Sequence, residues 1–262
     1  MLDRPDPATA EALARLYDLD LTEDPGDLDL YLALAARADG RVLELAAGTG
    51  RLAVPLAQAG HPVTAVDVDP AMLRRARARA DAAGLADDRI EFVEADLIDL
   101  ELPAAGRFAL AFVALNSIML LASRDAQRAA FRTMAGHLAS GGIAAVDAWL
   151  PDAEDLARFD GRVILEWPRP DPETGAIVTK TGSAQHDAAT ATVTLTSIYE
   201  SARQGGQVRR WVRRDRLRLV SADELVAFAE EAGLRVELVA GGYDLAPLGP
   251  GSERAILVAE RP

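Results

Sequence analysis

Apolar and polar positions between residues 40 and 150 alternate in blocks of two kinds. The short apolar blocks RVLELA, HPVTAVDV, IEFVEAD, RFALAFVAL and GGIAAVDAWL are typical of buried strands. The segments between them have helical spacing, and Asp69-Pro70 is a typical helix start, with an N-cap followed by proline. Strands that alternate with helices in this way predict an α/β fold with a parallel, doubly wound sheet.

The pattern changes after Pro151. Residues 161–168, 176–186, 190–200 and 207–219 read as four strands joined by short turns, which we interpret as an antiparallel insertion. The α/β pattern then resumes with a capping box, Ser221 and Glu224, ahead of a helix and two last strands. The order of these strand and helix patterns predicts a Rossmann-like, mostly parallel seven-stranded sheet with an inserted antiparallel sheet and N-terminal helices.

Four regions follow from this pattern. Residues 1–38 are predicted to form an N-terminal helical cap and residues 39–150 a Rossmann-like core that binds the cofactor. Residues 151–220 are the predicted antiparallel insertion, which we expect to cover the substrate. Residues 221–262 are predicted to complete the core sheet.

Composition narrows the possible functions. The 262 residues include 28 Lys and Arg against 41 Asp and Glu, a net charge of −13, which disfavours binding to nucleic-acid phosphates. The chain has no cysteine, so disulfides, thiolate nucleophiles and Cys-ligated zinc are excluded. The longest apolar run, 108–121, is too short to cross a bilayer. We therefore expect a soluble, cytoplasmic protein with no nucleic-acid or membrane partner, either a monomer or a homodimer.

The segment VLELAAGTGR, residues 42–51, joins a strand to a helix through two glycines, which suits a nucleotide ligand. Gly48, Gly50 and Ala53 also satisfy the dinucleotide fingerprint, so NAD is one alternative, and a glycine turn of an unrelated fold is another. Glu44 disfavours a pyrophosphate but suits the ammonium and sulfonium of S-adenosylmethionine (SAM). Asp67, at the end of the next strand, is placed to take ribose hydroxyls.

Three segments resemble the motifs of class I SAM-dependent methyltransferases. Residues 44–51 resemble their first motif, VDVDPAML at 66–73 the second, and VEADLIDL at 93–100 the third. DLDLYLALA, before the first strand, and the C-terminal GGYDLAPLGPGSERAILVAERP are similar to bacterial members and to relatives of aminosugar N-methyltransferases. The resemblance implies SAM as cofactor and methyl transfer to a small molecule.

The resemblance also implies the residues that contact the cofactor. The main chain of Ala46, Gly48 and Gly50 would hold the methionine end and Asp67 the ribose, while Met72 would pack on the adenine and Asp96 accept its amino group. Core packing for Met72 and a loop cap for Asp96 are the alternatives. The full predicted set comprises Tyr17, Tyr31, Glu44, Ala46, Gly48, Thr49, Gly50, Arg51, Asp67, Val68, Met72, Ala95, Asp96 and Leu97.

Methyl transfer needs alignment more than acid–base groups, because the sulfonium already activates the methyl carbon. Asn116, just after the fourth strand, and His186, in the insertion, are the catalytic candidates. Each has a structural alternative: Asn116 as a strand-end hydrogen-bonding residue, and His186 as an exposed turn residue. The Asn/Asp-Pro-Pro-aromatic motif of DNA amino-methylating enzymes is absent at this point.

Four residues are candidates for substrate contacts: Trp149, Tyr199, Trp211 and Arg213. Arg213 belongs to the basic run RRWVRRDRLR, where it shares a strand face with Trp211, although such a run is also typical of a solvated hairpin. No group shows metal-ligand spacing, so no metal is expected. The sequence therefore predicts methyl transfer to nitrogen or oxygen of a small metabolite. The alternatives are a SAM-using enzyme that does not methylate and a silent SAM-binding protein.

Overall fold

The structure is a computed structural model that describes residues 5–103, 106–202 and 206–262. The chain divides into two compact units. The core unit comprises Asp24–Leu150 and Val220–Pro262, and the inserted unit comprises Met1–Glu23 and Pro151–Leu219. Within the described residues, no helix is long and apolar enough to cross a membrane.

The elements follow the order that the sequence predicts. The helices are α1 Pro7–Asp20, α2 Leu28–Ala38, α3 Ala53–Gln58, α4 Pro70–Ala82, α5 Ser117–Leu120, α6 Arg124–His137, α7 Ala153–Arg158 and α8 Ala222–Glu231. The strands are β1 Val42–Leu45, β2 Val63–Asp67, β3 Ile90–Glu94, β4 Phe108–Val113, β5 Leu138–Trp149, β6 Asp160–Pro170, β7 Ile177–Asp187, β8 Thr192–Ala202, β9 Arg209–Arg218, β10 Arg235–Ala240 and β11 Arg254–Glu260.

The core unit contains a seven-stranded sheet in the order β10-β11-β5-β4-β1-β2-β3. Strands β1 to β5 are parallel to their neighbours, whereas β11 is antiparallel to both β5 and β10. The predicted mostly parallel sheet is therefore confirmed. Buried strands such as β1 are apolar at nearly every position because helices cover both faces of such a sheet.

Two predicted helix starts have the expected capping bonds. The Asp69 side chain accepts a hydrogen bond from Ala71 N, and Pro70 occupies the first position of α4. Ser221 and Glu224 form a complete capping box at the start of α8. The side chains that cap these helices are adjacent in sequence to the helices themselves, which is why the sequence alone locates them.

The inserted unit is a four-stranded antiparallel sheet in the order β6-β7-β8-β9, together with α1. Helix α1 packs on this sheet through Leu16 and Leu19, which contact Val178 and Tyr199 in one apolar cluster. The antiparallel insertion is observed as predicted, with strand limits within a few residues of those expected.

The N-terminal helices do not form one cap over residues 1–38, as the sequence suggested, but divide between the units. Helix α1 buries Leu16 and Leu19 against the inserted sheet, whereas α2 buries Tyr31 and Leu34 in the core that contains Phe112. Both helices are amphipathic, so periodicity alone does not reveal which sheet each one covers.

Candidate functional site

The glycine loop, residues 46–51, follows β1 at the carboxyl edge of the core sheet. Ala46, Gly48 and Gly50 have positive φ angles of 59°, 56° and 75°. A Cβ on Gly50 would lie 3.1 Å from the Cβ of Ala76 on α4. Only glycine allows this combination of backbone angle and close packing, so the loop brings main-chain groups to the end of the sheet where ligands bind in open α/β folds.

Asp67 ties this loop to the end of β2. Its Oδ2 accepts a hydrogen bond of 2.7 Å from Gly48 N, and its Oδ1 accepts one of 2.9 Å from Asp69 N. Burial raises the pKa of the half-buried carboxyl, while the bonds from Asp69 and Gly48 lower it. A carboxylate oxygen can accept a second bond, so binding to ribose remains compatible with these contacts and stays a prediction.

Glu44 is the most unusual carboxylate of the site. It lies in β1 with 4% of its surface exposed, and its Oε2 is buried without a hydrogen-bond partner in the part of the chain that the structure describes. Burial raises the pKa of Glu44 to about 8; Arg51 lowers it, whereas Asp27 and Asp67 raise it further. A main-chain hydrogen bond from Ala53 also lowers this pKa, so Oε2 alone lacks a partner. A buried oxygen left without a hydrogen bond is costly, which points to a partner outside the chain.

Arg51 was predicted to contact the cofactor, and the structure shows it bound to Asp27. Nη1 and Nη2 donate to the two oxygens of Asp27, each at 2.6 Å, in the bidentate geometry typical of strong Arg–carboxylate pairs. Asp27 is fully buried at the start of α2. Arg51 therefore links α2 to the glycine loop, an arrangement that the sequence did not indicate because the two residues lie in different elements.

The other predicted cofactor residues differ in exposure. Val68, just after β2, is 47% exposed, which is high for a large apolar side chain and suits a flat ligand. Met72 and Leu97 are 8% exposed and Thr49 only 1%, so their side chains belong mainly to the core. Asp96 is exposed and caps a short 3-10 turn, Leu97–Asp99, by accepting from Ile98 N. Ala95 N donates to Asp67 O at 3.1 Å.

Tyr31 is fully buried, with its ring 4.3 Å from that of Phe112. Its hydroxyl donates to Asp147 Oδ1 at 2.9 Å. Asp147 also accepts from Leu115 N at 2.7 Å, Tyr243 OH at 3.0 Å and Arg254 Nη1 at 3.2 Å. Tyr31 thus acts in a buried network around Asp147, and the proposed contact with the cofactor would require it to become exposed.

Asp147 was missed by the sequence analysis, although it carries a readable signal. Like Glu44 and Asp67, it is a carboxylate near the carboxyl end of an otherwise apolar strand. Such residues meet at one edge of a parallel sheet, where ligands bind. Its partners come from α2, the turn after β4 and the C-terminal segment, so they could not be assigned from local patterns.

Asn116 has a structural partner. Its Oδ1 accepts a hydrogen bond of 2.6 Å from the main-chain nitrogen of Trp149, which joins the turn after β4 to the end of β5. This contact matches the alternative in which Asn116 satisfies a main-chain group. Trp149 is half-buried at the carboxyl end of β5, so both residues lie at the carboxyl edge of the core sheet.

Tyr199, Trp211 and Arg213 lie together in the inserted unit. Tyr199 faces Trp211 across β8 and β9, and Arg213 pairs with Asp215 at 2.7 Å. Burial raises the pKa of Tyr199 to about 12. Burial lowers the pKa of Arg213, but Asp215, Tyr199 and Tyr17 raise it, so that the pKa is raised overall. The half-buried Tyr17 of α1 therefore belongs to the same cluster. Tyr17 and Tyr31, predicted as a pair, therefore belong to different units.

His186 is half-buried near the end of β7, one residue before the strand ends at the turn to β8. Its main-chain nitrogen donates to Phe159 O at 3.0 Å. The side chain lines a shallow surface with Gln185, Thr194 and Arg216. Among the described residues, no group of three His, Asp or Glu side chains is arranged to hold a metal ion.

Comparison with known proteins identifies the core unit. Residues 42–142 match the family model described as a methyltransferase domain. This segment is similar to a methyltransferase domain, and the chain shares its fold with a SAM-dependent methyltransferase of Clostridium acetobutylicum at a TM-score of 0.79 and 18% identity. The matched segment contains the glycine loop, Asp67 and the turn after β4, and it ends within β5. The predicted resemblance and the predicted cofactor, SAM, are thereby confirmed.

Curated relatives match parts of the chain. An uncharacterised methyltransferase of Mycobacterium tuberculosis is 37% identical over 105 residues, which cover 40% of this chain and 48% of the relative. Uncharacterised mycobacterial proteins with 57% identity over 49 residues are covered over only 18% of their length, so the chain spans less than half of these curated relatives.

Solved structures are similar over nearly the whole chain. The CcbJ methyltransferase of Streptomyces caelestis has a TM-score of 0.79 and 25% identity, with 97% of each chain covered. The sugar N-methyltransferase KedS8 of Streptoalloteichus has a TM-score of 0.74 and 22% identity, with 94% of this chain and 91% of that chain covered. The second likeness shows a shared fold, including the inserted sheet.

Proposed function

We propose that the protein transfers a methyl group from SAM to a nitrogen or oxygen atom of a small molecule. The observation that carries this proposal is the buried Oε2 of Glu44, which has no hydrogen-bond partner within the described residues and lies beside the glycine loop. When bound, SAM supplies a methyl group that its sulfonium has already activated for attack.

The donor set of the glycine loop fits this cofactor. Burial and the carboxylates Asp27 and Asp67 make the surroundings of Glu44 unfavourable for further negative charge, and the single guanidinium of Arg51 only partly offsets them. A cationic ligand group would relieve this imbalance, whereas the pyrophosphate of NAD would increase it. Met72, Asp96 and the tyrosines remain proposed contacts, and Glu44 and Asp67 are the proposed anchors.

Two observations support a small acceptor. The net charge of −13 disfavours a nucleic-acid substrate, and a protein described as a sugar N-methyltransferase shares the fold. Alignment of the acceptor supplies most of the rate in this proposal, with Asn116 and Trp149 shaping the site. His186, Tyr199, Trp211 and Arg213 are proposed acceptor-side residues. A cytoplasmic location and a monomeric or homodimeric state stay predictions.

The test combines calorimetry with product analysis. We expect SAM and S-adenosylhomocysteine (SAH) to bind with micromolar dissociation constants, which correspond to a binding free energy of about 8 kcal/mol. NAD should bind far more weakly. Incubation with candidate amines and alcohols should convert SAM to SAH. NAD binding as tightly as SAM would refute the cofactor assignment. Formation of methylthioadenosine would indicate another SAM-using reaction, and tight SAM binding without turnover a silent binding protein.

A further inference from the structure

The turn after β4 has an uncommon backbone. Leu115 and Asn116 follow one another with φ angles of 49° and 62°, a left-handed region that residues with a Cβ rarely adopt and that tends to occur at functional sites. The register between β4 and β5 ends at Val113 and Val146, before this turn begins. Within the turn, Ser117 N donates to Ala114 O at 3.1 Å. Contacts with side chains add to this main-chain bond.

Two hydrogen bonds between side chains and the main chain hold the turn. Leu115 N donates to Asp147 Oδ1 at 2.7 Å, and Asn116 Oδ1 accepts from Trp149 N at 2.6 Å. Asp147 has no exposed surface, so it touches no ligand itself. Its other donors, the hydroxyls of Tyr31 and Tyr243 and the guanidinium of Arg254, fix the carboxylate from α2 and from the C-terminal segment.

The turn borders the glycine loop. β4 lies next to β1 in the sheet, and the two strands end in register, with Leu45 opposite Val113. The connections leaving β1 and β4 therefore start side by side at the carboxyl edge. In open α/β sheets this edge, where neighbouring connections leave on opposite sides, is the place at which nucleotides bind.

We propose that Asp147 is a positioning residue for the cofactor site. Its carboxylate holds Leu115 and Asn116 in the left-handed conformation that places their main chain beside the glycine loop, and it thereby shapes the wall against which the methionine end of the cofactor binds. This inference rests on the proposed function, because it assumes that the glycine loop binds SAM.

The test compares variants that remove different members of the network. Asp147→Ala loses the bond to Leu115 N, and we expect SAH affinity, measured by calorimetry, to fall at least about tenfold because the wall is misplaced. Tyr243→Phe removes one of the donors that fix the carboxylate but leaves the Leu115 bond, so affinity should fall clearly less than in Asp147→Ala, by about threefold at most. Asp147→Asn keeps an oxygen acceptor for Leu115 N and should recover most of the affinity lost in the alanine variant.

Thermal unfolding of each variant separates positioning from stability. The proposal is overturned if Asp147→Ala binds SAH like the wild type, or if Tyr243→Phe loses as much affinity as Asp147→Ala. If Asp147→Ala does not fold, Asp147→Asn is compared with Tyr243→Phe, with hydrogen exchange at the Leu115 amide as a second readout. Fast exchange there with unchanged SAH affinity also overturns it. Failure of the wild type to bind SAH would instead refute the proposed function.

Discussion

The two units bury charged groups in opposite ways. In the inserted unit, Lys180 lies between two carboxylates, with Nζ 2.5 Å from Asp20 and 2.7 Å from Glu166. In the core unit, Glu44 is 4% exposed and its Oε2 lacks a hydrogen-bond partner among the described residues. A cluster whose charges are matched inside the chain stabilises a fold, whereas an unmatched buried charge is costly unless a ligand completes it.

The surroundings of Lys180 show how the inserted unit matches its buried charge. It is the only lysine in a chain that otherwise uses arginine. Gly182 leaves room beside it, since a Cβ there would overlap the carboxylate of Glu166. The hydroxyl of Tyr199 and the indole of Trp167 also donate to Asp20, at 3.5 Å and 2.9 Å. The ammonium of Lys180 and the donors around its carboxylate partners therefore have a structural role. They hold Asp20, and with it α1, on the inserted sheet.

Removal of this lysine should have the largest effect. Lys180→Met leaves the carboxylates of Asp20 and Glu166 together without a cation, so we expect the free energy of unfolding to fall by about 3 kcal/mol. Trp167 and Trp211 lie in the inserted unit and report its unfolding by fluorescence in denaturant. Arg162→Met, at the exposed pair with Asp160, is the control and should change stability little. Equal effects of both changes would contradict a structural role for the cluster.

The opposite behaviour is expected at Glu44. Glu44→Gln removes the negative charge that the cofactor would pair with, so SAM affinity should fall by about 10- to 100-fold. The free energy of unfolding should stay the same or increase at pH 7, because the variant no longer has to keep a buried carboxyl protonated above its ordinary pKa. Calorimetry and denaturation measure the two quantities. Glu94→Gln changes an exposed carboxylate at the end of the neighbouring β3 and serves as control. A destabilised Glu44 variant with normal SAM affinity would make Glu44 a structural residue.

The features that the sequence predicts are local, whereas the contacts it does not predict join distant parts of the chain. Strands, caps and the glycine loop were predicted correctly, because each depends on residues close together in sequence. The pair Arg51–Asp27 and the network around Asp147 were not, because their members meet only after the sheet and α2 have assembled. The division of residues 1–38 between the two units was not predicted for a related reason: the apolar stripe of α1 fits either sheet, and its partners Val178 and Tyr199 lie far along the chain.

Proton linkage gives a smaller but more specific test of the core unit. The pKa of Glu44 is about 8, against an ordinary value of 4.5, so the folded protein without ligand holds a proton there that the unfolded chain releases. The contribution of Glu44 to the free energy of unfolding therefore declines as pH rises from 4.5 to about 8. A cationic ligand favours the ionised form, so SAM affinity should rise with pH by up to about tenfold per unit below pH 8 and then level off.

Calorimetry in two buffers of different ionisation enthalpy measures this linkage directly. At pH 7 we expect close to one proton to be released when SAM binds, and Glu44→Gln should abolish the release. The inserted-unit variant Arg162→Met should leave it unchanged. Proton uptake, or a SAM affinity that does not vary between pH 6 and 8, would show that Glu44 is already ionised and paired in the free protein.

The smallest effect is expected at His186. The residue lies near the β7–β8 turn, where its main-chain nitrogen donates to Phe159 O. Within the described residues, no charged side chain forms a hydrogen bond or an ion pair with its ring. A positioned general base contributes about 10²–10⁴-fold to the rate. If alignment dominates, His186→Ala should therefore reduce the rate of single-turnover methyl transfer by less than about tenfold.

Asn116→Ala, which releases the end of β5 from the turn after β4, should reduce this rate more, because the site is misplaced. The measurement is the single-turnover rate of both variants with an identified acceptor. A loss of about four decades in His186→Ala would make His186 the base and reverse the order of the two residues.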